Sequence, residues 1–545
     1  MEPPRQRSVM SSRPLPLWIE ALAAPEADLR REVAETIVLA QRLKMPDLNT
    51  AVPALMQALD APQQPPAVVA AVAHSLIVLE ARQAASALAS RAAAGNLELA
   101  QIVEPALARW NHTPMRQRWL ERLADRTARR AALVLAIDAL AAVGETAAVP
   151  RLTELTMDAG TEPTVRRAAA RALGRLQPQG LEDAARRLAT DTSAAKTLDR
   201  LVAAALVKHH DSAAAQPILE QLALDPEPSV AAIALERMME RDFRQVLPLA
   251  DRLAANADAN VRHWVAKAWV AERTVPAVGR LGRLLDDPHP QVRVYVRRSL
   301  LEMTSDVALR EAVLDAARTM LAGRQWRGLE QAVLIAVALD RKELAGRLVE
   351  LLDFERPEVF IAAAWGLRRL AVPDTRTGIL RRAERVYAIQ AAAQGNADID
   401  QQSCHLAEAL SQLHATEALP LLRRYIPKER AIAVEARATA IWALGHLLSG
   451  KPDPDVVAAL AERIADTTSM MPEAIEVRAM SAVSVGRMRG AAALPTLRKY
   501  YLGKPVADRA EYACGWAIHQ LTGEPLPVFA QSEFGPRFWF LEPVD

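Results

Sequence analysis

Apolar positions recur along this chain at helical spacing. In the stretch VRRAAARALGRL, from Val165 to Leu176, a wheel of about 100° per residue puts Val165, Ala169, Ala172, Leu173 and Leu176 on one side. Arg167, Arg171 and Gly174 fall on the other. The same phrase returns at Val261 (VRHWVAKAWV), Val292 (VRVYVRRSLL), Val359 (VFIAAAWGLRRL) and Val477 (VRAMSAVSVGRM). Its first apolar residue steps through Val165, Leu198, Val230, Val261 and Val292, a period of about 30 residues that belongs to stacked two-helix repeats. Weaker copies starting near Leu29 and ending near Asp508 bring the number of units to about fifteen. The fold class predicted is all-α, a solenoid.

Each phrase is the second helix of its unit, B. A first helix, A, precedes it in stretches such as AVPRLTEL, QVLPLADRL and EALPLLRRYI, with a proline near the start, where a missing N–H leaves no bond unmade. Polar turns such as DDPHPQ, Asp286 to Gln291, join the two. Composition agrees, since 51% of the residues are hydrophobic and only 4% aromatic, as closely packed small-residue helices require. Three longer gaps, with TRTGILRRAERVYAIQ, KPDPD with TTSMMPE, and AGRQWRG, are expected to be loop insertions. A solenoid can run continuously over 545 residues because each unit packs only on its neighbours, so the expected division is 1–16 as a flexible segment, 17–523 as repeats and 524–545 as an aromatic tail.

The arginine after the first valine, at Arg166, Arg262, Arg293 and Arg478, stands where it can reach the carboxylate in the turn of an adjacent repeat. Asp258 with Arg262 and Asp287 with Arg293 are read as rungs of a ladder that sets the register of the repeats. The KTLDRLVAAALVKHH copy lacks the valine–arginine pair, which breaks the expected ladder there.

This phrase, with its aspartate-bearing turn and ALG ending, resembles the HEAT repeat family, in particular the bacterial HEAT-like repeats first described in phycobilisome lyases. The resemblance runs from about Leu29 to about Thr522. It implies an α-solenoid that works as an adaptor or scaffold for other proteins. It also leaves two other classes open, a bilin lyase acting on a tetrapyrrole-carrying partner and a HEAT-like DNA glycosylase.

Charge and motifs narrow the choice. Lysine plus arginine number 67 against 65 aspartate plus glutamate, so the chain lacks the basic excess of a nucleic-acid binder. There is no GxxxxGK[ST], GxGxxG after a strand, HExxH or GxSxG. Cys404 and Cys514 lie far apart without ligand spacing, and the neighbours His209 and His210 point about 100° apart on a helix, so neither metal nor cofactor is expected. No signal peptide or apolar run of about 18 residues is found, and a cytoplasmic, non-enzymatic scaffold for a protein partner is expected.

Candidate contact residues are the ones that leave the phrase on its open side. Trp365 and Trp442 occupy the position of Arg171, away from the core, with Arg368 nearby. Arg167 and Arg171 on one B helix, and Arg376, Arg381, Arg382 and Arg385 in one long gap, form basic patches. The tail gathers Phe529, Phe534, Phe538, Trp539 and Phe540, which are expected to cap the apolar face of the last repeat.

Overall fold

A computed structural model describes residues 11–94, 97–429, 431–502 and 509–525. The aromatic tail residues Phe529, Phe534, Phe538, Trp539 and Phe540 lie outside them. The described residues form thirty α-helices and no strand, in fifteen consecutive A–B pairs, numbered here as repeats 1 to 15. The first helix, Leu15–Ala21, starts inside the segment expected to be irregular. By their internal contacts the repeats divide into two compact units, residues 1–268 and 269–545.

Local chemistry starts and stops these helices. Proline occupies the first turn of A helices such as Val149–Met157 and Leu494–Tyr500, and of B helices such as Pro163–Leu176 and Pro357–Leu370. Carboxylates cap several B helices: Glu162 accepts from the amides of Thr164 and Val165, and Asp258 from those of Asn260 and Val261. Two of the three long gaps are filled mainly by helix, while the one with TTSMMPE does keep a loop at 466–474 after its helix. The three gaps hold the A helices of repeats 10, 12 and 14, namely Val307–Ala322, Arg376–Ala391 and Pro454–Ala465, all longer than the A helices of most repeats. The two-helix period survives because in repeats 10 and 12 the extra residues lengthen the A helix, and in repeat 14 they are shared between the A helix and the loop at 466–474.

Within each unit the B helices lie side by side. Alanines fill the contact between Pro163–Leu176 of repeat 5 and Thr197–Val207 of repeat 6, where Ala169, Ala170, Ala203 and Ala204 are fully buried. Gly174 belongs to this contact and not to the open side where the wheel put it. A Cβ there would come within 2.5 Å of the Ala205 carbonyl oxygen and 2.8 Å of that of Leu206. In the second unit Gly445 plays the same part, with a Cβ set to meet Ser484 Cα at 2.6 Å. Ser484 then donates to the Ile441 carbonyl at 2.8 Å, as Ser75 does to Ala34 at 2.7 Å in the first unit. The glycine of the ALG ending is therefore a site of close helix approach.

The two named pairs, Asp258 with Arg262 and Asp287 with Arg293, do not meet through their carboxylates. Asp258 uses its carboxylate as a helix cap, while Arg262 Nη1 donates to the backbone carbonyls of Asn256 and Ala257 in its own turn. Likewise Arg293 Nη1 donates to the carbonyls of Asp287 and Pro288, and the Asp287 carboxylate accepts from the amide of His289. The forward half of a rung goes to the next repeat. Arg166 Nε donates to the Thr156 carbonyl at 2.9 Å, and its Nη1 reaches Asp199 of repeat 6 at 2.6 Å. The copy that lacks the valine–arginine pair keeps a rung, since Arg200 holds the carbonyls of Asp191 and Ser193 and reaches Asp225 of repeat 7 at 2.7 Å. Arg437 of repeat 13 grips the Tyr425 and Ile426 carbonyls and both oxygens of Glu473 in repeat 14, each at 2.9 Å. In repeat 1, Arg30 does the same with an amide, Gln64 Oε1, at 3.0 Å. Arg478 of repeat 14 donates back to the Ile464 carbonyl at 3.1 Å.

Two glycine substitutions separate close approach from helix propensity. Gly279, in Val275–Arg283, has open space around the position of a Cβ, so Gly279→Ala should stabilise the chain by about 1 kcal/mol. Gly174→Ala should destabilise it by about 1–3 kcal/mol by overpacking against repeat 6. Urea unfolding measures both, and a gain of stability from both would contradict the packing.

Candidate functional site

The B helices of repeats 11 to 15, Pro357–Leu370, Ala397–Gln412, Val434–Leu447, Ile475–Met488 and Arg509–Thr522, pack in succession in the second unit. Trp365, Trp442 and Trp516 stand half-buried on the first, third and fifth of them. Arg368 is not displayed beside Trp365. It is 5% exposed and Nη1 donates to Glu408 Oε2 at 2.7 Å, so it joins repeat 11 to repeat 12. A buried guanidinium must be paired, and here the next B helix supplies the carboxylate. His405 Nδ1 lies 3.7 Å from the same Glu408.

Trp442 has cationic neighbours. Its ring centroid is 4.5 Å from that of His446, and the guanidinium carbon of Arg487, on the next B helix, lies 5.3 Å from it. Burial holds the His446 imidazole below the usual histidine range, and the charges of Arg487 and His414 press it the same way. Burial also lowers the Arg487 pKa. Nη1 of Arg487 is buried without an acceptor, and among the described residues no carboxylate lies within ion-pair distance of it. Sequence reasoning missed Arg487 and His446. Both follow a glycine of the phrase, in VGRM and ALGHL, as Arg175 does in ALGRL, so a cation after the packing glycine was the available signal.

In the first unit Arg167, Arg171 and Arg175 share the exposed side of Pro163–Leu176. Arg171 lies 3.6 Å from Asp138 of the preceding B helix, whose carboxyl is raised by burial. The other basic patch is largely consumed by internal contacts. Arg382 reaches Asp353 at 2.7 Å and also Gln402, Arg385 meets the same Asp353, and Arg376 donates to the Leu413 carbonyl.

A second polar cluster resembles a catalytic set but lacks its connectivity. His210 is fully buried, with Nδ1 3.1 Å from Glu182 Oε1 and Nε2 3.0 Å from the Gln177 carbonyl. Ser212 donates to the same Glu182 oxygen at 2.5 Å, and these bonds hold the carboxyl down to about 2. A nucleophilic serine must give its proton to the histidine. Here it gives it to the carboxylate, so the cluster ties repeat 6 to repeat 7. Loss of a proton from Cys404 is opposed by desolvation, which pushes its thiol up to about 12. Among the described residues no group of three His, Cys, Asp or Glu is placed to hold a metal ion. No described helix is long and apolar enough to cross a membrane.

Fold and site together define an α-solenoid of helix pairs with aromatic and cationic side chains half-buried on the B helices of one unit. No protein-family model matches the chain, and no curated protein does. Solved structures to which it is similar include Kap95p, the importin-beta of yeast, in a structure with RanGDP, at 15% identity over 94% of this chain and 72% of that one, TM-score 0.48. Another is an importin beta in an ammonium sulfate condition, at 13% identity over 93% and 72%, TM-score 0.44. A third is Kap121p bound to RanGTP, at 12% identity over 96% and 57%, TM-score 0.45.

The charge on Arg487 can be read through its neighbour. Arg487→Gln should raise the titration midpoint of His446, because one of the cations that depress it is gone while its burial stays. NMR titration of the His446 ring measures this, and an unchanged midpoint would place Arg487 elsewhere.

Proposed function

We propose that this chain is a non-enzymatic scaffold that binds a partner protein along the B-helix face of repeats 11 to 15. The observation that carries the proposal is the half-buried Trp442 with Arg487 over its ring. Tryptophan and arginine in partly desolvated positions are the side chains that concentrate binding energy when a protein partner covers them. Trp365 and Trp516 repeat the aromatic position two repeats to either side, so a partner lying along the helices would meet an anchor at each. Stacked helix pairs suit such a partner, since they present one side chain after another along a continuous surface. In this reading the chain is an adaptor, and Arg167, Arg171 and Arg175 in the first unit offer a further, exposed basic contact.

Site-specific photo-crosslinking tests the face directly. A benzoylphenylalanine at Arg369 or His446, both exposed on B helices, should capture the same partner from native extract. The same group at Glu350 or Glu462, exposed on A helices, should capture little of it. Equal capture from both sets, or capture from the A helices alone, would overturn the proposal.

A further inference from the structure

We infer that Arg487 is the receptor for a carboxylate, supplied by an acidic and apolar segment of the partner protein that settles on Trp442. This inference rests on the scaffold function proposed above and names the chemistry of the partner at one point of its path.

Several buried arginines of the chain are paired across repeats. Arg166, Arg200, Arg368 and Arg437 each meet a carboxylate of another repeat at 2.6–2.9 Å. Arg293, also buried, gives its Nη1 to the carbonyls of Asp287 and Pro288, whereas the Nη1 of Arg487 meets neither a carboxylate nor a carbonyl. Arg487 has lost part of its hydration, and no described carboxylate is within ion-pair distance. A guanidinium nitrogen desolvated without an acceptor gains by meeting one.

Helix capping does not account for it. Arg487 lies in the last turn of Ile475–Met488, where cations are favoured and free carbonyls await donors. Those carbonyls are already served by backbone: Gly490 N donates to Val485, Arg489 N to Gly486 and Gly450 N to Arg487 itself. The guanidinium is left over.

Its surroundings select the ligand. Trp442 offers an apolar face beside the guanidinium, and His446 and His414 add basic nitrogens without a compensating acid. The guanidinium of Arg487 is the permanent cation over the Trp442 ring, with the His446 ring beside it. One charge with planar, paired N–H donors matches a carboxylate. A phosphate, with close to two negative charges, calls for a second full cation. The apolar ring matches a hydrophobic residue next to the acid in the partner segment.

Fluorescence anisotropy of the full chain with short labelled peptides tests this. The probes are one alternating leucine and glutamate, its glutamine counterpart, and one with phosphoserine in place of glutamate. The glutamate peptide should bind about tenfold more tightly than the glutamine peptide, and Arg487→Gln should abolish that preference while the circular-dichroism melting curve stays in place. Arg487→Lys should restore only part of it. The inference is overturned if Arg487→Gln keeps the preference, if the phosphoserine peptide binds best, or if none of the peptides binds. Crosslinking confined to the B helices alongside any of these results would leave the scaffold standing with its acid receptor misplaced.

Discussion

A solenoid has no core that closes on itself, so the contact from one repeat to the next must be specified again at every step. In this chain an arginine near the start of the B helix does much of that work. Its guanidinium has five N–H donors in a fixed plane. Some go back to the carbonyls at the end of its own A helix or in the turn that follows, which no intrahelical amide serves. The rest go forward to an acceptor of the following repeat. Arg437 shows the whole pattern, with two carbonyls behind it and both oxygens of Glu473 ahead. Lysine, a point charge with three donors, could not span both directions.

Given that register, close packing follows from small residues. The B helices approach until alanine meets alanine and until a glycine, as at Gly174 and Gly445, faces the backbone of its neighbour. Such contacts bury little area per residue but exclude voids, and they repeat. They also assign every position of the phrase. Valine, alanine, leucine and glycine are committed to packing and the first arginine to register. What remains for recognition is a narrow stripe on each B helix, and in the second unit that stripe carries Trp365, Trp442, His446 and Arg487.

The fold was legible because it is written locally. A period of about 30 residues, prolines at helix starts and acidic turns all act within one unit. What failed to show depended on the neighbouring repeat. A wheel places Gly174 relative to its own helix axis and says nothing of repeat 6. Arg368 looked free because its carboxylate, Glu408, is 40 residues away, and Arg166 and Asp199 are 33 apart. The long A helices of repeats 10 and 12 passed for loops because their extra turns disturbed the period without disturbing the fold. Arg487 was hidden by resemblance, since one more arginine in an arginine-rich phrase stands out only when its lack of a carboxylate can be seen.

Arginines of the same repeats thus fall into those that join the stack and one, Arg487, that we propose meets a partner. Urea unfolding of Arg437→Ala and Arg487→Ala, side by side, tests that division most directly. Removing Arg437 leaves the buried Glu473 with only the longer contact to Arg463, at 3.6 Å, and the Ala474 amide, and should cost about 3 kcal/mol, whereas removing Arg487 should change stability by no more than about 1 kcal/mol. Equal losses from the two would make Arg487 another structural rung and contradict the account.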